Sequence, residues 1–263
     1  MDWFMDIVGR LPDGAVLLSG AATTAVIALA VAVVTRGLFF ARGAAMLETH
    51  SKLAELVHNS LLAFTVFILA MALNDVRANL GNADDATLRE AGTIARLDRE
   101  LEIANGVEAE TARKRLRDYA DAVTSSEWQA LSAPEPALSP RAEQSLIVFI
   151  AGVRAVTAAQ PDLATTFGTL VDKLEDLRQG RLESATKSVP RVFWWMIGAF
   201  LFGAMVMNGR HPLDRASASL ITLHMGAIGL VMALILVMDE PFRGETSISS
   251  TPISKALGMI GSQ

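Results

Sequence analysis

Residues 216–238 read ASASLITLHMGAIGLVMALILVM, followed at once by Asp239 and Glu240. A helix rises 1.5 Å per residue, so about 20 apolar residues cross the roughly 30 Å hydrocarbon core of a bilayer. The run is long enough to span, and its one ionisable residue, His224, then lies at membrane depth. A polar group there requires a neighbouring helix, water or an accessible cavity.

Three further runs share this character. Gly14–Thr35 contains AVLLSGAATTAVIALAVAVVT, with Ala21, Ala25, Ala28 and Ala32 at a spacing that permits close helix approach. Leu56–Asn74 contains LLAFTVFILAMAL between Glu55 and Asp75. Val192–Gly209 reads VFWWMIGAFLFGAMVMNG, with Trp194 and Trp195 at the end suited to the headgroup boundary and Ala199 and Gly203 as a small pair.

Composition agrees. Of 263 residues, 51% are hydrophobic and only 19% charged, and the mean hydropathy is +0.36. The net charge of -5 leaves no basic excess for nucleic acid. The absence of cysteine excludes disulfides, thiolate catalysis and cysteine-ligated metal. Asp2, Asp6, Arg10 and Asp13 make a poor start for a cleavable signal peptide, so residues 1–14 read as a retained flank with Trp3, Phe4, Ile7 and Val8 available to lipid.

The short connection at 210–215 and the longer one at 36–55 predict an all-α membrane protein with four transmembrane helices in two hairpins. The predicted divisions are a hairpin over 1–78, an inserted helical bundle over 79–190, and a second hairpin with an interfacial tail over 191–263. Basic residues such as Arg77, Lys173, Arg178, Arg181, Lys187, Arg191 and Arg243 outnumber those beside the hairpin loops, among them Arg36, Arg42, Lys52, Arg210 and Arg215. The bias puts both termini and the bundle in the cytoplasm.

Within the bundle, Leu88, Ala91, Ile94, Leu97 and Leu101 recur at helical spacing after Asp84-Asp85, and Asn105-Gly106 marks a turn. A second helix is expected from about Glu108 to Leu131. The prolines of SAPEPALSP, residues 132–140, break it. A third follows over 141–159, and Pro161 opens a fourth with Phe167, Leu170, Leu174 and Leu177 on one stripe. The bundle's charged residues, Asp98, Glu102, Arg113 and Arg117 among them, read as solvated surface. No serine–histidine–acid or HExxH arrangement can be assembled from His50, His58, His211 and His224, so nothing argues for an enzyme and no cofactor or metal is expected.

Five stretches carry a resemblance: Asn74-Asp75, REAGTIARLDREL (89–101), RDYADAVTSSEW (117–128), LRQGRLESATKSVP (177–190) and MDEPFRGETSIS (238–249). In this order the chain resembles the bacterial bestrophin-like membrane family, distantly similar to bestrophin anion channels. The resemblance implies a multi-pass protein of the bacterial inner membrane and a homo-oligomer that conducts inorganic anions. It also implies a pore helix, for which the Leu56–Asn74 run is preferred, with Phe64, Phe67 and Ile68 as the constriction. The motif Asp239, Glu240, Pro241, Phe242, Arg243 and Gly244 is similar to the bestrophin sequence after the last span. The acidic run that holds calcium in regulated bestrophins is missing, since Glu245 is followed by TSISSTPIS. The alternative reading is a non-conducting scaffold or sensor that binds a partner through its helical domain.

Overall fold

The computed structural model describes residues 11–40 and 51–258. The flank carrying Trp3, Phe4, Ile7, Val8 and Arg10 lies outside the described residues, as do Arg42 and His50. Every described regular element is helical. In chain order these are α1 (Asp13–Thr35), continued by a π-helical turn (Arg36–Phe40); α2 (Ser51–Ala104); α3 (Val107–Ala122), a second π-helical turn (Val123–Glu127) and α4 (Trp128–Leu131); α5 (Pro140–Ala159); a 3-10 turn (Pro161–Leu163); α6 (Ala164–Thr186); α7 (Arg191–Asn208); α8 (Arg215–Met238); and α9 (Thr251–Ala256).

The expectation of four spans in two hairpins is corrected on three counts. Five helical stretches are long and apolar enough to cross a membrane: Asp13–Leu38, Lys52–Ala104, Pro140–Ala159, Pro161–Asn208 and Arg215–Met238. Pro140–Ala159 joins the set because LIVFIAGV at its centre outweighs the polar flanks that suggested an ordinary amphipathic helix. The second apolar run is not a separate span followed by a bundle helix. It is the first part of one 54-residue helix, α2. Neither a proline nor a helix-ending turn falls between Asp75 and Asp84, and Gly81 sits in the helix with open space around its Cα. Finally, α1 packs chiefly on α8, so the first apolar run pairs with the last rather than with its neighbour in sequence.

The reason for that pairing is small residues on both helices. A Cβ on Gly20 would meet the Ala233 Cβ at 2.6 Å, and one on Gly229 would meet the Gly20 carbonyl oxygen at 2.5 Å. In lipid, where tails are as apolar as leucine, such backbone proximity supplies the association energy.

The chain forms two compact units. The membrane unit contains α1, the start of α2, α7 and α8, with a core of Ala28, Leu69, Ala72, Ile197, Leu201, Met225, Ile228 and Ile235. The bundle unit runs over 79–187 and the tail from Glu240, with a core of Ile94, Leu97, Leu116, Phe149, Phe167 and Leu174 that takes in Ile253 of α9. Asn105 (φ 53°) and Gly106 (φ 97°) make the tight turn between α2 and α3 expected from their identity.

Candidate functional site: a buried charge cluster in the bundle

The turn between α3 and α4 determines what faces the bundle interior. Thr124, Ser125 and Ser126 each donate a hydroxyl hydrogen bond to a carbonyl of the preceding turn, Asp121 O for the first two and Ala122 O for the third. Such back-bonding competes with the regular helix ladder, and the helix here widens to a π turn over Val123–Glu127. Glu127, fully buried, emerges at its end, followed by Trp128.

Two arginines of α6 meet it. Arg178 donates from Nε and Nη2 to Glu127 at 3.0 and 2.5 Å, and from Nη1 to the half-exposed Glu143. Arg181, completely buried, donates from Nη2 to Glu127 Oε1 at 2.8 Å and to Glu90 Oε1 at 3.0 Å, and from Nε to Glu90 Oε2. The Tyr119 hydroxyl donates to Glu90 Oε1 at 3.1 Å. Burial and the adjacent Glu90 charge push the Tyr119 phenol well above its ordinary range, so it remains a donor.

Glu90 and Glu127 against Arg178 and Arg181 make the buried set neutral. That balance is required, because an unpaired charge at this depth is prohibitively desolvated. The Arg181 guanidinium also lies over the Trp128 ring, 5.1 Å from its centroid, within cation–π range.

Trp128 carries the cluster to the tail. Its Nε1 donates to the Ile248 carbonyl at 2.9 Å, and its ring meets Phe242 edge-on at 5.5 Å. The tail is held in shape by Ile248 N donating to Pro241 O at 2.9 Å and by Gly244 at φ 90°, a backbone angle that excludes most side chains. Replacing Trp128 with Phe removes the 2.9 Å bond, worth about 1 kcal/mol, so limited proteolysis is expected to cut the 240–258 segment about five-fold faster. Trp195→Phe, on an exposed position, leaves the cutting rate unchanged.

The other sequence-selected residues lie elsewhere. Phe64 and Phe67 are 55% and 62% exposed on α2, while Ile68, at 6%, packs into the membrane unit's own core. The Phe64 ring lies 5.6 Å from that of Phe200. His224 is exposed on α8. Asp239 is buried and accepts the Val189 backbone N–H at 3.0 Å, at the approach to α7. Glu240 and Arg243 approach to 3.5 Å, and burial pushes the Glu240 carboxyl up while Arg243 draws it back. Asn74 and Asp75 line a cavity of about 370 Å³ in the membrane unit, with Met71, Val189, Pro190 and Phe193. Arg113 is no free surface cation: its fork engages both Asp98 oxygens at 3.0 Å.

Glu90, Glu127, Arg178 and Arg181 were not foreseen as a cluster. The signal was nonetheless present, since four of the five quoted stretches supply its members and its extension to Phe242 and Ile248. No group of histidines and acids among the described residues could hold a metal ion.

The chain matches the Bestrophin-like domain over residues 22–253, most of its length. It belongs to the bestrophin-like family and is a multi-pass membrane protein. Comparison with curated proteins and with solved structures returned no match.

Proposed function

We propose that copies of this chain assemble into an ion channel selective for small inorganic anions, with the exposed face of α2 turned to the conduction path. Phe64 and Phe67 then form an apolar constriction that gates by dewetting, with Ile68 directly behind them in the subunit's core. The observation that carries the reading is the exposure of both rings, three residues apart on one helix face, in a chain of the bestrophin-like family. The buried bundle cluster serves this channel as a rigid anchor for the tail.

Purified protein in planar bilayers is expected to carry anion current, and Phe64→Ala with Phe67→Ala to raise it at least several-fold by widening and wetting the constriction. Silence at both polarities and in several salts overturns the channel. The second reading, a scaffold that binds a partner through the bundle, is favoured by Ile103 and Val107, 73% and 79% exposed beside the Asn105-Gly106 turn. A silent bilayer together with crosslinking of another protein through Ile103 selects it.

A further inference from the structure

Polar side chains gather where α7 turns into α8, and neither the constriction nor the bundle cluster uses them. Arg36, at the end of α1, donates from Nη1 to the His211 carbonyl at 2.6 Å. Arg210 donates from Nε to His211 Nε2 at 3.0 Å. His58 of α2 lies beside the Ala204 backbone and within electrostatic reach of Arg210 and His211. One turn beyond Ala204, Asn208 is 6% exposed and its Nδ2 has no hydrogen-bond partner; His58 Nδ1 is likewise buried and unpartnered. The α1 and α7 backbones approach closely alongside: Thr35 Oγ1, whose hydroxyl donates to Val31 O at 2.8 Å, also lies 3.3 Å from Val206 O, and a Gly209 Cβ would meet Thr35 Oγ1 at 2.2 Å.

The charge balance here is one-sided. Among the described residues that bear on these imidazoles, Glu55 of α2 is the acid acting on His211. Asp214 is turned to the N-terminus of α8, where it accepts the Ser217 N–H at 2.8 Å. Among the described residues, two permanent cations, two imidazoles and an unmet amide donor therefore face little negative charge.

We propose that Arg36, Arg210, His58, His211 and the Asn208 amide form a binding site for a small inorganic anion that fills as the medium is acidified. Because Arg210 Nε donates to His211 Nε2, that imidazole is neutral and carries its proton on Nδ1. Protonating Nε2 removes the acceptor, frees the Arg210 N–H and adds a second positive charge beside it. Burial, then the Arg210 charge, lowers the His211 imidazole from its ordinary value against the pull of Glu55, so this change comes on acidification. The anion supplies what the protonated cluster lacks, an acceptor for Arg210, the His211 imidazolium and Asn208 Nδ2.

The site adds regulation to the channel proposed above and rests on that reading for its effect on current, but binding can be measured without conduction. Bromide binding to the full chain in detergent, followed by thermal shift at constant ionic strength against gluconate, is expected to tighten about tenfold from pH 8 to pH 5.5, or about 1.4 kcal/mol. His211→Gln keeps an acceptor for Arg210 but cannot titrate, and is expected to reduce the pH effect to less than threefold. Arg210→Gln should weaken binding at both pH values. Bromide binding that is absent, or independent of pH in the unaltered chain, overturns the site. So does an unchanged pH effect in properly folded His211→Gln and His58→Gln variants. Silent bilayers with this binding intact would sink the channel alone; current without the binding would sink the site alone.

Discussion

Arg181→Met is expected to destabilise the bundle unit by about 3–5 kcal/mol, the range for breaking a buried ion pair from one side. The substitution nearly preserves volume, so the cost is electrostatic. Glu90 loses two donors and Glu127 loses one, while both remain fully buried. Arg178 still serves Glu127, which leaves Glu90 with the Tyr119 hydroxyl as its remaining hydrogen-bond donor in the cluster. The measurement is denaturant unfolding followed by Trp128 emission in a chain whose other tryptophans are Phe. Two companion variants separate charge from packing. Arg181→Met with Glu90→Gln restores neutrality and should recover at least half the loss, whereas Glu143→Gln, at a half-exposed position, should cost under about 1 kcal/mol. A loss below about 1 kcal/mol for Arg181→Met alone would mean that water reaches the cluster and that the described burial is wrong.

Gly229→Leu is expected to cost about 3 kcal/mol or more, at or beyond the top of the overpacking range, and to separate α1 from α8. A Cβ at this position would lie 2.4 Å from Thr24 Oγ1 and 2.5 Å from the Gly20 carbonyl oxygen. A hydroxyl can rotate away, but a helix carbonyl cannot, so the helices must move apart. Their close approach is then lost along its length, and lipid offers no hydrophobic compensation between helices. The readout is the fraction of purified protein that elutes as one monodisperse species after mild heating. Thr24→Gly in the same chain removes the hydroxyl clash but not the carbonyl clash and should rescue only in part. Gly198→Leu, where an added Cβ meets nothing within 4 Å, should behave as the unaltered chain. Indifference of the protein to Gly229→Leu would refute the α1–α8 pairing, one of the three ways in which the fold departs from two hairpins.

These two experiments bear on different parts of the proposed channel. The α1–α8 pair shapes the membrane unit that presents Phe64 and Phe67, and the charge cluster shapes the tail that follows α8 in sequence. Their effects are therefore expected to add, because the residues share no partners. In the tail, Phe242, Ile248 and Ile253 are all buried in the bundle unit, and Gly244 provides the sharp turn that allows it.

Local pattern was enough to read much of this chain. The runs ending at Thr35, Gly209 and Met238, the Asn105-Gly106 turn, the proline break before the helix from Arg141 and the helix opened by Pro161 follow from hydropathy, spacing and backbone restriction, all of which act within a few residues. The absence of cysteine also limited the chemistry without any structure. Partner choice was not legible. Arg181 and Glu90 are 91 positions apart, and each looks like a solvated charge on its own helix until the other neutralises it in the interior. Gly229 could be seen as small, but only packing shows that it must be small because Gly20 and Thr24 press against it. The same holds for His58 and His211, more than 150 positions apart in sequence and brought within electrostatic reach of each other by the fold. Sequence determined which segments are helical and apolar, because those properties are set by neighbouring residues. Tertiary structure alone decided which helices pair and which charges are buried, because desolvation and close packing depend on groups that the chain brings together from far apart.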